Sequence, residues 1–246
     1  MRNLDEYSKL YSEEGFEDIQ VKYRRKMIME QIASYKPENI LEIGCGKEPL
    51  FLYNPNISFT IVEPSSEFYE HAKFLTKKEK RDDVLCIEGE FENIVDELEK
   101  NYDMIICSCV LHEVERPAQL LEAIVKVCNE RTIVHINVPN AYSLHRILAV
   151  ESGLISDVHE MSERNNILQQ TSVFDMESLT KLVESCGMEC LCKGGYFLKP
   201  FTHGQMYQML QSGIIDEKIL DGLYCTGKKM PEMGSEIFIC CKAAFK

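Results

Sequence analysis

The chain has 246 residues, 45% hydrophobic and 27% charged, with 27 Lys+Arg against 40 Asp+Glu and hence a net charge of −13. That length fits one large domain or two small ones and allows a substantial buried core. The acidic excess argues against a partner bound through its phosphate backbone, so no nucleic acid is expected, while a small anionic substrate held by a few local Lys or Arg stays open.

Residues 1–36 carry a helical pattern in Val21, Ile28, Met29 and Ile32 and are expected to form an N-terminal helical flap. Five short runs rich in Ile and Val follow, at Asn39–Gly44, Phe59–Glu63, Val84–Glu88, Met104–Ser108 and Thr132–Asn137. Such runs predict strands buried on both faces, hence parallel. Between the last two, Pro117 opens a helix with Leu120, Leu121, Ile124, Val125 and Cys128 on one side. Asp175 is the expected N-cap of a later helix, with Leu179, Leu182, Val183 and Cys186 on one face and Gly187 as its stop. Two more strands are predicted near Met188–Cys192 and Glu236–Cys241. Residues 140–173 and 200–233 stand outside the alternation as two helical inserts, expected to pack over one end of the sheet. Strand–helix alternation without a linker or repeat predicts one α/β domain over residues 1–246.

No segment reaches the ~18 consecutive apolar residues that span a bilayer, and the N-terminus MRNLDEYSKLYSEEGFED is too acidic and polar for a secretory signal. No membrane partner is expected, and the eleven cysteines read as reduced thiols in a cytoplasmic protein. Cys86, Cys107, Cys128, Cys240 and Cys241 sit in apolar runs, where Cys acts as a small hydrophobe. The C-x-C pairs Cys107/Cys109 and Cys190/Cys192 would each share one face of a strand. Further ligands at zinc-like spacing are lacking, so no metal is expected.

The sharpest signal is Ile40-Leu41-Glu42-Ile43-Gly44-Cys45-Gly46. A buried strand ends in an acid and then Gly-x-Gly, where the backbone can turn tightly and a ligand can lie against it. Glu63 closes the next strand about 20 residues later, the spacing at which an acid can accept hydrogen bonds from both hydroxyls of a ribose. A dinucleotide would want a third glycine beside its pyrophosphate. That position holds Pro49 in the G-x-G-x-x-G frame and Glu48 in the shorter one, so a cofactor with a cationic centre and no phosphate fits the loop better than NAD.

With these residues the chain resembles the class I S-adenosylmethionine-dependent methyltransferases. LEIGCG resembles their first motif, IVEPS the second, IEGEFEN the third and YDMIICSCVLHEVERP the fourth, over about residues 37–140. The resemblance implies a Rossmann-like, seven-stranded, mostly parallel sheet with an antiparallel last strand inserted between strands five and six. It implies S-adenosylmethionine as cofactor and S-adenosylhomocysteine as product. The cofactor would be held by Glu42, Gly44, Cys45 and Gly46, by Glu63 and Pro64, by Glu90 and Phe91 around the adenine, and by Ser108 and Cys109. From the flap, Tyr11 or Arg24 would reach the methionine carboxylate. VPNAYSLHR, VHEMSER and GGYFLKP are similar to segments of small-molecule methyltransferases, which points to Arg146, Tyr196 and Lys199 as acceptor-binding residues.

Methyl transfer from a sulfonium is a one-step displacement that needs alignment and exclusion of water. A hydroxyl acceptor profits from a general base, and His has a suitable pKa. Candidates are His112 after the fourth strand, and His145 and His159 in the first insert. His71 and His203 read as surface positions and His135 as a core histidine. The leading function is O-methylation of a small polar metabolite, at a hydroxyl or phosphate-type oxygen of a sugar, nucleotide-linked or phosphorylated acceptor. N- or C-methylation and non-catalytic binding of S-adenosylmethionine are the alternatives, and the oligomeric state is left open.

Overall fold

Strands β1 (Asn39–Ile43), β2 (Ser58–Glu63), β3 (Val84–Glu88), β4 (Met104–Ser108) and β5 (Ile133–Pro139) pair in parallel, as their Ile- and Val-rich runs predict. The computed structural model describes residues 15–245, apart from the side chains of Glu163 and Arg164; Tyr11 lies outside the described residues. β6 (Met188–Tyr196) and β7 (Glu236–Ala243) complete a seven-stranded sheet in the order β3-β2-β1-β4-β5-β7-β6. β7 runs antiparallel to both neighbours and lies between β5 and β6. This is the Rossmann-like sheet that the motifs imply.

Among the described residues the α-helices are α1 (Glu17–Tyr35), α2 (Ser66–Lys78), α3 (Phe91–Ile94), α4 (Pro117–Val127), α5 (Leu144–Glu151), α6 (Glu163–Ile167), α7 (Met176–Ser185), α8 (His203–Gln211) and α9 (Glu217–Lys229). Pro117 occupies the first turn of α4, where its missing N–H costs nothing. Asp175 caps α7 with a reciprocal Ser178 bond, and Gly187 follows it at φ +78°. Leu120, Leu121 and Ile124 of α4 and Leu179 and Val183 of α7 pack on Leu41, Ile105, Val134 and Ile239 to fill one face of the sheet. Burying side chains of this size contributes about 1.5–3 kcal/mol each.

The other face is covered by Ile28 and Ile32 of α1 over Ile40, Ile61 and Ile106, and by Tyr23 and Met27 with Leu220 and Tyr224 of α9 over Phe238. Residues 200–233 thus differ in placement from the expected cover over one end: α9 lies on a sheet face, because Leu220 and Tyr224 recur at helical spacing and find the aromatic face of α1. α5, in the first insert, has no buried residue.

Two sequence-based expectations are corrected. β3 is not buried on both faces: it is the outermost strand, and Leu85 is 57% exposed. Cys190 and Cys192 do not share a face. An irregularity between them sets Cys190 opposite Cys241 but Cys192 opposite Cys240, and adjacent residues of β7 point to opposite sides.

Candidate functional site

The parallel strands all end at one edge, and the loops that follow β1, β2, β4 and β5 enclose a cleft of about 880 Å³ there. Ligands of open α/β sheets bind at that edge. Gly44 and Gly46 take φ values of +74° and +56°, a left-handed backbone that favours glycine at both positions. A Cβ on Gly44 would lie 2.7 Å from Cγ2 of Val110, so the backbone and the β4 loop approach more closely there than any side chain permits.

Glu63 holds this turn. Its Oε2 accepts the amides of Cys45 at 2.9 Å and Gly46 at 3.1 Å, and its Oε1 accepts that of Ser65 at 2.9 Å. Burial raises its pKa, opposed by these backbone donors. Glu42, also buried, accepts the Leu50 amide at 3.0 Å. Desolvation, with the nearby Glu63 charge adding to it, pushes Glu42 up to about 8, against the pull of Leu50 N–H and Arg25. Glu42, Gly44, Cys45, Gly46, Glu63 and Pro64 all line the cleft. So do Glu90, whose carboxylate accepts from Asn93, and the buried Phe91 at the start of α3. Ser108 and Cys109 complete that wall, with Cys109 at φ +55° and its amide bonded to the Asn137 carbonyl.

α1 closes the cleft with Glu17, Gln20, Arg24 and Ile28, a helical i, i+3, i+7, i+11 stripe. Arg24 faces the site, but its guanidinium is engaged with protein carboxylates. It donates to Glu236 from Nη2 at 2.6 Å and from Nε at 3.0 Å, and its Nη2 lies 3.3 Å from Glu17. Glu236 is 2% exposed and also accepts from Gln20 at 3.0 Å, Asn137 at 3.1 Å and Tyr196 OH at 2.5 Å. Sequence reasoning saw Glu236 only as the start of a strand. Because β7 is antiparallel, its first residue pairs with Pro139 and Tyr196 at the ends of β5 and β6 and so arrives at the cleft. A strand-initial acid before an apolar run was the one available signal.

The acceptor-side candidates divide. His112, 4% exposed, and His145 line the cleft, and the His112 carbonyl accepts the amides of Thr171 and Ser172. His159 does not line it: its Nε2 bonds Asp175, the cap of α7, at 2.8 Å, and its Nδ1 lies 3.2 Å from Asp157. Arg146 lines the cleft while its Nε donates to the Val158 carbonyl at 2.7 Å and its Nη2 to that of Glu160, tying α5 to the following loop. Tyr196, fully buried, stands behind the wall and orients Glu236. Lys199, 4% exposed, lines the cleft with Nζ 2.8 Å from His203 Nδ1, and His203 Nε2 lies 3.2 Å from Glu17. His203, expected at the surface, is therefore a cleft residue. His135 is a core histidine as expected, 3.4 Å from Cys240 Sγ, with its pKa lowered to about 4 by burial.

Residues 41–134 match a protein family described as a methyltransferase domain. The fold is shared with an S-adenosylmethionine-dependent methyltransferase from Clostridium acetobutylicum, at 11% identity and TM-score 0.62, over 98% of this chain and 99% of that one. It is shared with the plantazolicin methyltransferase BamL, solved in complex with a triazolic desmethylPZN analog and S-adenosylhomocysteine, at 16% identity and TM-score 0.59, over 98% and 94%. The cyclase SpnF has it too, at 14% identity and TM-score 0.55, over 85% and 75%. No curated protein matches the chain. Over residues 41–134 the chain therefore carries a methyltransferase domain, set on the Rossmann-like sheet of the class I S-adenosylmethionine-dependent methyltransferases. The residues fit that cofactor: the glycine turn leaves room that a Cβ would fill, and no basic cradle for a pyrophosphate is required. Among the described residues no helix is long and apolar enough to cross a membrane, and no His/Cys/Asp/Glu group is placed to hold a metal ion.

Proposed function

We propose that the protein methylates an oxygen of a small polar metabolite, a hydroxyl or phosphate-type oxygen on a sugar, a nucleotide-linked sugar or a phosphorylated acceptor, and that it acts in the cytoplasm without nucleic-acid or membrane partners. The observation that carries this is the composition of the cleft beyond β4 and β5, where His112, His145 and Lys199 stand on one continuous cavity with the cofactor motifs. S-adenosylmethionine, when bound, supplies a methyl group made electrophilic by its sulfonium charge. Glu63 is the group suited to the ribose hydroxyls, Phe91 to the adenine face and the 44–46 turn to close backbone approach. Val110, Leu120 and Leu168 on the same cavity exclude water from the reacting centre. A ring nitrogen of His112 or His145 takes the proton as the acceptor hydroxyl attacks, and Lys199 and Arg146 orient the acceptor.

Methylation at nitrogen is the alternative, favoured by the carboxylates of Glu17 and Glu113, which line the same cavity and would attract an amine. Screening phosphorylated and nucleotide-linked sugars for release of S-adenosylhomocysteine tests the proposal. An O-methyl product mapped by mass spectrometry is expected. Turnover confined to amines would overturn it.

A further inference from the structure

The last two strands bring four cysteines into two facing pairs. β6 is the edge strand opposite β3, and its register with β7 sets Cys190 against Cys241 and Cys192 against Cys240. Leu191 is the extra residue that separates the pairs onto opposite faces. The Cys190/Cys241 pair belongs to the core under α4 and α7, with Cys241 Sγ 3.6 Å from the Val134 carbonyl. The Cys192/Cys240 pair lies on the face covered by α1. Tyr35 OH is 3.6 Å from Cys192 Sγ, and Gln31 Oε1 is 3.5 Å from Cys240 Sγ.

Directly opposed residues of antiparallel strands have Cα atoms roughly 4.5–5.5 Å apart. That interval falls inside the roughly 4.4–6.8 Å that a disulfide spans, so closing this pair needs rotation about the side chains and little backbone movement. Access is unequal. Cys192 is exposed on the open edge of the sheet, whereas Cys240 is fully buried beneath it. Cys190 is half-buried against the core and Cys241 is fully buried, so of these four an oxidant in solution meets Cys192 first; Cys225, on α9, is also exposed but lies outside the paired strands. Among the described residues all cysteines are free thiols.

We propose that Cys192 and Cys240 are a thiol–disulfide site, with Cys192 as the attacking sulfur, Cys240 as the resolving one, and a low-molecular-weight disulfide as oxidant. The Cys192 thiolate attacks one sulfur of the small disulfide. Its S–S bond breaks, one thiol leaves, and a mixed disulfide forms on Cys192. Cys240 then attacks the Cys192 sulfur, its S–H electron pair forms the protein S–S bond, and its proton passes to the second departing thiolate. The two protein thiols lose two hydrogen atoms in total, and the small disulfide is reduced to two thiols. The resolving step is slow near neutral pH, because burial holds the Cys240 thiol well above its ordinary range, and it accelerates as the pH is raised.

The test treats the reduced full-length protein with oxidised glutathione, blocks remaining thiols with iodoacetamide, and maps the digest by mass spectrometry. The expected result is that Cys192 and Cys240 both drop out of the alkylated set, whatever adduct forms on the exposed Cys225, and that one cross-linked peptide pair joins Cys192 to Cys240, all reversed by dithiothreitol. Cys240→Ser should stop at a glutathione adduct on Cys192, and Cys192→Ser should leave Cys240 alkylatable. The proposal is overturned if the wild-type protein keeps the adduct on Cys192 with Cys240 still free, if the link maps to Cys190 and Cys241, or if all thiols stay alkylatable. The wild-type map decides without either variant.

Discussion

Arg24 of α1 meets Glu236 of β7 in a buried ion pair, Nη2 to Oε1 at 2.6 Å, across 212 positions of chain. The pair fastens the N-terminal helix to the antiparallel strand at the floor of the cleft, and both residues line it. Removing one partner strands the other charge in a dry environment, at a cost of about 3–5 kcal/mol. Arg24→Ala is therefore expected to lower the urea midpoint strongly. Glu236→Gln should lower it too, because it leaves the Arg24 charge with Glu17 alone and turns an amide NH2 toward side chains that donate. Equal midpoints for Arg24→Ala and wild type would contradict the pairing.

The glycine turn makes a graded prediction. Gly44→Ala adds left-handed strain of about 1–2 kcal/mol and a Cβ 2.7 Å from Val110 Cγ2. S-adenosylmethionine affinity, measured by calorimetry, should fall at least tenfold. Gly46→Ala meets nothing within 4 Å and adds only the backbone strain, so its loss should be smaller.

Glu42 gives the fold a pH signature. Its carboxyl is raised from 4.5 to about 8, so between those values the folded protein keeps a proton that the unfolded chain has lost, and stability falls as pH rises. His135 acts in the opposite sense lower down. With its pKa lowered from 6.5 to about 4, it adds stability as pH rises through that interval. The clean window is pH 6.5 to 8, where Glu42 alone of the two titrates. Urea unfolding should show stability decreasing there by at most about 1.4 kcal/mol per pH unit. Glu42→Gln should flatten that slope.

The three candidate histidines should separate in kinetics. On the proposed O-methylation, replacing His112 or His145 by Asn should cost about 10²–10⁴-fold in kcat for the one that takes the proton, with cofactor affinity unchanged, and full activity of both variants would overturn a histidine base. His159→Asn should keep its activity. It gives up an exposed pair with Asp175, worth no more than about 1 kcal/mol, so a modest fall in thermal stability is its expected effect.

Lys199→Ala should raise the acceptor KM while leaving S-adenosylmethionine binding intact. Its Nζ sits 2.8 Å from His203 Nδ1 on the cleft wall, and the proposed function gives it the acceptor rather than the cofactor. Unchanged acceptor kinetics would remove Lys199 from the acceptor site.

Local chemistry carried much of this in the open. Gly44, Gly46, Glu42 and Glu63 announce their work because a strand end, a tight turn and an acid at the next strand end are encoded within some 25 neighbouring residues. The cap at Asp175 and the start at Pro117 were legible for the same reason. Glu236, His203 and Glu17 were not, since their partners lie far along the chain: Glu236 gains its role from Arg24, Gln20, Asn137 and Tyr196. Cys190 and Cys192 misled because alternation assumes an unbroken ladder, and one extra residue reverses every side chain beyond it.

The amino-acid order alone determined the strand–helix alternation and the glycine turn after the first strand, which follow from short-range periodicity and backbone sterics, while the antiparallel last strand was legible only through the resemblance of its motifs to a known family. Only the tertiary structure decided which charges share the cleft. An antiparallel strand carries its beginning to the edge where its parallel neighbours end, and which distant side chains meet there depends on strand order and helix packing rather than on spacing along the chain.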